Sequence, residues 1–491
     1  MNDDRLGRRM PSSDRYKSRA AKRLGDDVAR MTFDAWSALS RTCEIWWTRN
    51  AGSPAIAARG TQRATELVEF ARRNSRFYRH AWRGCSGASA HPSSLPPVTK
   101  RELMAHFDDW VTDPRLHRRG VDAFLADRSH IGERYLDRYV IWKSSGSTGE
   151  PGIFVQDATA LSTYDALLHA QLQSAALAGR YAVGLFTHAG RAALIAATGD
   201  HFASIASWQR ARKGNAWPDA RAFSVMEPIP DLVAALNDYQ PAFLASYPTT
   251  LAILAGEQRD GRLRISPACI WSGGECLAPC AAAAIERAFG SVVMNEYGAS
   301  ECMSIAFSCA ADWLHVNADW VVLEPVDRNY RATRPGEVSH TVLLTNLANR
   351  VQPIIRYDLG DSVVVSPQPC ACGSPLPAIR PEGRRDDVLA LRATDGTLVQ
   401  LSPLALTTVI EDATACRRFQ LVQTAPDHIV VRLDVADATT RNAEYGATAR
   451  ALTAYLARQS LANVQLSLDT LAPVADGRSG KLREVISAVR A

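Results

Sequence analysis

The sequence predicts an α/β fold: a large N-terminal domain of layered sheets and helices, followed by a small, mobile α+β lid at the C-terminus. Three observations carry the prediction. From Ala158 onward, apolar runs of strand type alternate with helical ones, the rhythm of a layered α/β domain. A Gly- and hydroxyl-rich stretch, Ser144-Ser145-Gly146-Ser147-Thr148-Gly149-Glu150-Pro151-Gly152, lies between the apolar segments Tyr139–Trp142 and Ile153–Val155. The chain has 491 residues, 46% apolar and 22% charged, an ordinary globular composition with length for roughly two to four domains.

The net charge of +5 is small for this length, and much of it lies in a basic arm at residues 1–30. Arg5, Arg8, Arg9, Arg15, Lys17, Arg19, Lys22 and Arg23 crowd there, either as a solvated terminus or as a docking surface for an acidic partner such as a carrier protein. Nothing in the composition points to nucleic acid. No apolar h-region follows Arg8-Arg9, and no run of about 18 apolar residues offers a membrane span. Ten cysteines without a secretion signal then imply a reducing cytoplasm, with metal binding or plain burial rather than disulfides.

Residues 31–382 read as the large domain. It opens with a helical cap from Met31 to about Ala90, where Trp36, Leu39, Ile45, Trp46, Ala64, Leu67, Val68, Phe70 and Ala71 recur near helical spacing. Thr99 ahead of Glu102 and Leu103 marks a further helix start. Tyr139–Trp142 and Ile153–Val155 read as strands on either side of the Ser/Gly loop. Glycines let backbone approach a ligand, and successive N–H groups with hydroxyls form a cradle for polyphosphate oxygens. The Lys-Ser/Thr ending of a strand-to-helix P-loop is missing.

Beyond the loop, Thr163 to Leu177 and Asp231 to Asn237 read as helices and Val183-Gly184-Leu185-Phe186 as a strand. Tyr239 to Pro248, Ala268 to Glu275 and Val292 to Glu301 are three successive strand-to-turn edges. They should converge on one rim, because ligands of open α/β sheets bind at the carboxyl ends of strands. Tyr247, Trp271, Ser272 and Gly273 on these edges are candidates for a substrate pocket, or are core. The last segment, Asp387 to Ala491, alternates strands with a helix over Ala443 to Ser460, and a second amphipathic helix is expected after Lys481.

These residues, in this order, resemble the adenylate-forming superfamily of acyl-CoA synthetases, luciferases and adenylation domains, and within it the phenylacetate-CoA ligase and coenzyme F390 synthetase-like branch. The resemblance covers roughly Ile141 to the C-terminus. It implies a phosphate loop of Ser144, Ser145, Gly146, Ser147, Thr148 and Gly149, and an adenine segment of Glu296, Tyr297, Gly298, Ala299 and Ser300, with Gly274 and Glu275 beside it. It implies Asp361 on the ribose hydroxyls, Arg384 as a further nucleotide contact and Asp386 as a hinge. Glu301 would hold Mg²⁺ on the phosphates of ATP, as hard cations prefer carboxylates. Lys481 would neutralise charge between the acid and the α-phosphate. Residues 383–491 would be the lid, rotating between half-reactions. Two departures stand out: Gly152 follows Pro151 where many members have lysine, and the hinge strand after Asp387 lacks the usual glycine.

Cys309, His315, Cys370 and Cys372 form C-x5-H followed by C-x-C-G, the donor set of a closed Cys₃His structural zinc site, or are ordinary thiols and a strand histidine. The resemblance implies an ATP-dependent acid–thiol ligase acting on a small carboxylic acid, aromatic by likeness to the branch, with coenzyme A or a carrier-protein phosphopantetheine as thiol. Two other expectations stay open: a nucleotidyl transferase that stops at adenylation, and a non-catalytic nucleotide-binding protein that keeps the fold.

Overall fold

The computed structural model describes residues 37–84, 92–144, 151–171, 175–213, 219–382, 388–414, 416, 418–435, 437–474 and 483–489. The described part of the helical cap forms three helices, α1 (37–50), α2 (Ser53–Asn74) and α3 (Arg76–Ala81). The apolar stripe of α2, including Ala64, Leu67, Val68 and Ala71, is buried. Thr99 caps α4 (Lys100–Ala105) as expected: its hydroxyl accepts from Glu102 N, and the Glu102 carboxylate accepts from Thr99 N in return. Two short helices, α5 (Phe107–Trp110) and α6 (Arg118–Leu125), complete this region.

Strands β1 (Val140–Lys143) and β2 (Ile153–Gln156) pair antiparallel, so the Ser/Gly loop does sit between two strands. Helix α7 (Ala158–Gln171) follows, and then α8 (Ala175–Phe186). The run Val183–Phe186, expected as a strand, is the last turn of α8. A short apolar run does not by itself separate strand from helix, and Val183, Leu185 and Phe186 are exposed rather than buried in a sheet.

The expected strand comes later, as β3 (Ala192–Ala196). It is followed by α9 (Ala203–Lys213), β4 (Ala220–Ser224), α10 (Ile229–Tyr239), β5 (Phe243–Ser246), α11 (Pro248–Arg259), β6 (Cys269–Gly273), α12 (Pro279–Phe289) and β7 (Val292–Ala299). Strands β7, β6, β5, β3 and β4 are parallel neighbours. From β7 the sheet turns antiparallel through β8 (Cys302–Ser308) and β9 (Leu314–Val316). A separate three-stranded sheet holds β10 (Val321–Val326), β11 (Thr341–Asn346) and β12 (Ile354–Asp358). Then β13 (Val363–Val365) and β14 (Ala378–Pro381) complete nine strands in the order β13-β14-β9-β8-β7-β6-β5-β3-β4.

The C-terminal region pairs β15 (Leu389–Arg392) with β16 (Leu398–Leu401), followed by α13 (Pro403–Ala413). A four-stranded sheet is built of β17 (Phe419–Ala425), β18 (His428–Leu433), β19 (Gln465–Leu468) and β20 (Val485–Ser487), with α14 (Ala438–Arg458) crossing from β18 to β19. The helix expected after Lys481 is replaced by β20, whose Val485 registers with Leu421 on the edge of β17. Its buried contact there satisfies a sheet edge, which an isolated single-turn helix could not do. No described helix is long and apolar enough to cross a membrane.

Candidate active site

Between the β1–β2 hairpin, the carboxyl ends of the parallel strands and α13 lies a cleft of about 2320 Å³. A single small-molecule site occupies roughly 300–1,000 Å³, so this cleft exceeds the volume of one such site. Strand alternation decides which residues reach it. Cys269, Trp271 and Gly273 of β6 line the cleft, as do Met294, Glu296 and Gly298 of β7. Ser272, expected in the substrate pocket, points the other way: it is completely buried and does not line the cleft. Tyr247, at the N-cap of α11, and Gly274 also line it, and a Cβ on Gly274 would sit 3.0 Å from the Tyr247 ring.

The segment Asn295 to Glu301 is not a loop after a strand. It forms the end of β7 and a tight hairpin into β8, with Ala299 paired to Cys302. A Cβ on Gly298 would lie 2.0 Å from the Met303 carbonyl oxygen, so only glycine fits this approach. The hairpin tip presents Ala299, Ser300 and Glu301 to the cleft. Glu301 is buried, and its Oε1 accepts from the Tyr357 hydroxyl at 2.6 Å. Burial raises its carboxyl above the ordinary value, while the Tyr357 bond and the Lys100 charge pull it back.

Asp361 lines the same cleft and accepts from the Tyr297 hydroxyl at 2.9 Å. Tyr297 itself does not line the cleft; expected against adenine, it is half-buried and positions Asp361. Glu275, also expected at the nucleotide, does not reach the cleft. Its carboxylate accepts from Thr249 N and Thr249 Oγ1, both at 3.1 Å, in the first turn of α11, where unpaired N–H groups and the helix dipole favour a negative charge. Glu296 does line the cleft, but among the pocket residues, where Trp271 Nε1 donates to it at 3.1 Å.

At the neck of the Ser/Gly loop, Ser144 N donates to Gly152 O at 2.9 Å and Gly152 N donates to Ser144 Oγ at 2.8 Å. Ser145, Gly146, Ser147, Thr148 and Gly149 lie outside the described residues, as do Arg384, Asp386 and Lys481. The glycine that replaces lysine after Pro151 has a steric cause: a Cβ at Gly152 would lie 2.6 Å from the ring of Phe154, which is fully buried. Several cationic side chains not singled out in the sequence line the cleft, among them Lys143 and Lys100. Lys143 pairs with Asp200 at 2.5 Å, and Lys100 begins α4. The signal for Lys143 was its place as the last residue before the loop. Lys100 is brought in by a backbone bridge, Val98 N to Arg356 O at 3.0 Å and Asp358 N to Val98 O at 2.9 Å, which no local pattern reveals.

A structure of 2-hydroxyisobutyryl-CoA ligase, bound to the acid's adenylate and coenzyme A in the thioesterification state, matches this chain at TM-score 0.51. The two are 21% identical over 89% of each chain. The chain has the adenylate-forming fold. The same ligase in its postadenylation state with the adenylate matches at TM-score 0.48 and 21% identity over 89% of each chain, and the fold assignment rests on the first match alone. No protein-family model matches the chain, and no curated protein does.

Away from the cleft, at the β13–β9 side of the adenylate-forming fold, the donor atoms of Cys309, His315, Cys370 and Cys372 all lie within 4.8 Å of one another. Zinc–sulfur bonds of about 2.3 Å at a tetrahedral ion would set two sulfurs about 3.8 Å apart, and Cys309 Sγ and Cys370 Sγ are 3.6 Å apart. His315 Nε2 faces Cys372 Sγ at 3.1 Å, and its Nδ1 lies 3.1 Å from the Leu376 carbonyl. That second contact fixes the ring and leaves Nε2 as the ligand atom. The four residues therefore fit a zinc ion.

Proposed function

We propose that this chain is an ATP-dependent acid–thiol ligase of the adenylate-forming superfamily, and that its acid is a small carboxylic acid, aromatic by likeness to the phenylacetate-CoA ligase branch. A carboxylate oxygen attacks the α-phosphorus of ATP and the bond to pyrophosphate breaks, giving an acyl-AMP. A thiol then attacks the acyl carbon, its proton leaves, and the C–O bond to AMP breaks. Coenzyme A is the thiol we favour, with a carrier-protein phosphopantetheine as the other donor of the same chemistry.

The observation that carries this reading is the pairing of two held carboxylates on one cleft: Glu301 on Tyr357 and Asp361 on Tyr297. In this proposal Asp361 holds the ribose hydroxyls, while Ser144, Gly274, Gly298, Ala299 and Ser300 contribute to the nucleotide wall. Glu301 would hold Mg²⁺, which when bound neutralises phosphate charge. Lys100 and Lys143 add fixed positive charge at that end, and the Ser/Gly loop from Ser145 to Gly149 supplies N–H donors to the phosphates. Residues 383–491 act as a lid, hinged at Asp386, that brings Lys481 and Arg384 to the nucleotide. The described part of that region already touches the cleft through Thr408 and Glu411. We also assign zinc to the Cys309, His315, Cys370 and Cys372 cluster, as a structural ion.

Pyrophosphate release from MgATP tests the reading, over aromatic and aliphatic acids, with and without coenzyme A, with Glu301→Gln as control. Release that needs an acid, is accelerated by the thiol and is lost in Glu301→Gln supports it. Release indifferent to every acid would refute it.

A further inference from the structure

Glu296 presents a feature that nucleotide binding does not use. It is half-buried on β7, directly opposite Gly273 of β6, whose missing side chain leaves space beside the carboxylate. The Ser304 hydroxyl donates to Oε1 at 2.6 Å and Trp271 Nε1 donates to Oε2 at 3.1 Å. Ser304 Oγ in turn accepts from Asn317 Nδ2 at 3.3 Å, and Asn317 Oδ1 accepts from Arg49 Nη2 at 2.8 Å. The carboxylate is therefore aimed by a chain of hydrogen bonds rather than left to swing.

What that chain leaves open points to a ligand. An ionised carboxylate can accept about four hydrogen bonds; Ser304 and Trp271 use one on each oxygen and the Gln171 side chain adds a third donor, so one acceptor position stays open. Among the described residues no cation pairs with Glu296, while its neighbours on the cleft wall, Met294, Met303 and Trp271, are apolar or weakly polar. Burial pushes its carboxyl up to about 7, against the pull of the Ser304, Trp271 and Gln171 bonds. A plain hydrocarbon end of a substrate would be set against this carboxyl and strip it of water with nothing returned. An N–H donor would complete it.

Resting on the ligase reading above, we propose that Glu296 selects an acid that carries an amine at the end remote from its carboxylate. Three residues of strand separate Glu296 from the hairpin tip at Ala299, about 10 Å at the rise of a β-strand. That span suits a ring-sized spacer between the amine and the carboxylate to be activated. Ammonium is favoured over hydroxyl because it also supplies the missing countercharge.

The test compares benzoates of equal size bearing a methyl, hydroxymethyl or aminomethyl group, by acid-dependent pyrophosphate release, in wild type, Glu296→Gln and Trp271→Phe. The wild type should prefer the aminomethyl acid by about tenfold or more in kcat/KM, the weight of a polar group read by a dedicated partner. Glu296→Gln should collapse that preference to about twofold. Trp271→Phe removes a donor but keeps the carboxylate, so it should retain the preference. If Glu296→Gln is poorly folded by thermal melting, Glu296→Asp serves in its place, expected to keep a reduced preference. Equal turnover of all three acids by the wild type, or a preference that survives Glu296→Gln, overturns the inference and leaves the ligase reading standing. No acid-dependent release from any acid overturns both.

Discussion

The Tyr357 hydroxyl lies 2.6 Å from Glu301 Oε1, and both residues are buried at the cleft wall. This bond is among the effects that favour the ionised carboxylate against burial. Tyr357→Phe removes it. The Glu301 pKa should therefore rise further, and the acid limb of the pH profile for MgATP-dependent adenylation should move to higher pH. With a hydrogen bond to a charged group worth about 1.5–3 kcal/mol, kcat/KM at neutral pH should fall about tenfold to a hundredfold. A pH–rate profile that overlays on the wild type would show that the bond does not tune Glu301.

The absence of the loop lysine makes a second prediction. Reintroducing it as Gly152→Lys drives a Cβ to 2.6 Å from the buried Phe154 ring, and overpacking of this kind costs about 1–3 kcal/mol. The melting temperature should drop and ATP affinity should not improve. Lys143→Ala, in contrast, should raise KM for ATP about tenfold with little loss of stability, because the Lys143–Asp200 pair is only partly buried. A Gly152→Lys protein as stable as wild type would refute the steric account.

Zinc content is a direct check on the cysteine cluster. Purified without chelator, the chain should carry one zinc per molecule by elemental analysis, and Cys372→Ser should lose it and melt several degrees lower. Because the four donors lie outside the cleft lining, the KM values for ATP and acid should hold while the enzyme stays folded. A metal-free wild-type chain of unchanged stability would return the cluster to ordinary thiols.

What was legible around the cleft is the part of the fold whose residues are local in sequence. The ends of β5, β6 and β7 follow from apolar runs closed by turn residues, and the Thr99 cap follows from a three-residue spacing. Facing direction was not legible. Whether Trp271 or Ser272 meets the cleft depends on register with Met294 and Asn295 in β7, and a shift of one residue exchanges them. Glu275 was misread for a related reason: its partner, Thr249, lies 26 residues away at a helix terminus. The Val183–Phe186 run and β20 were misread because each owes its state to what it packs on rather than to its own pattern. Lys100 reaches the cleft through pairing with residues more than 250 positions away.

Gln420 on β17 joins the two flanks of the segment that carries Lys481. Its Nε2 donates to Val474 O at 3.1 Å and to Arg483 O at 2.8 Å, while its Oε1 accepts from Arg432 Nη1 at 3.0 Å. Gln420 is completely buried, so these bonds are not shared with bulk water. Gln420→Leu keeps the volume and leaves the flanking carbonyls without their common donor, at a cost of about 1–3 kcal/mol for the unsatisfied groups. If Lys481 serves the adenylation step, loosening both flanks should lower kcat for pyrophosphate release several-fold. KM for ATP should change little, because Gln420 does not line the cleft. The second half-reaction, measured from preformed acyl-AMP and coenzyme A, should be spared. Equal losses in both half-reactions would mean that Gln420 supports the C-terminal sheet as a whole rather than the lysine segment.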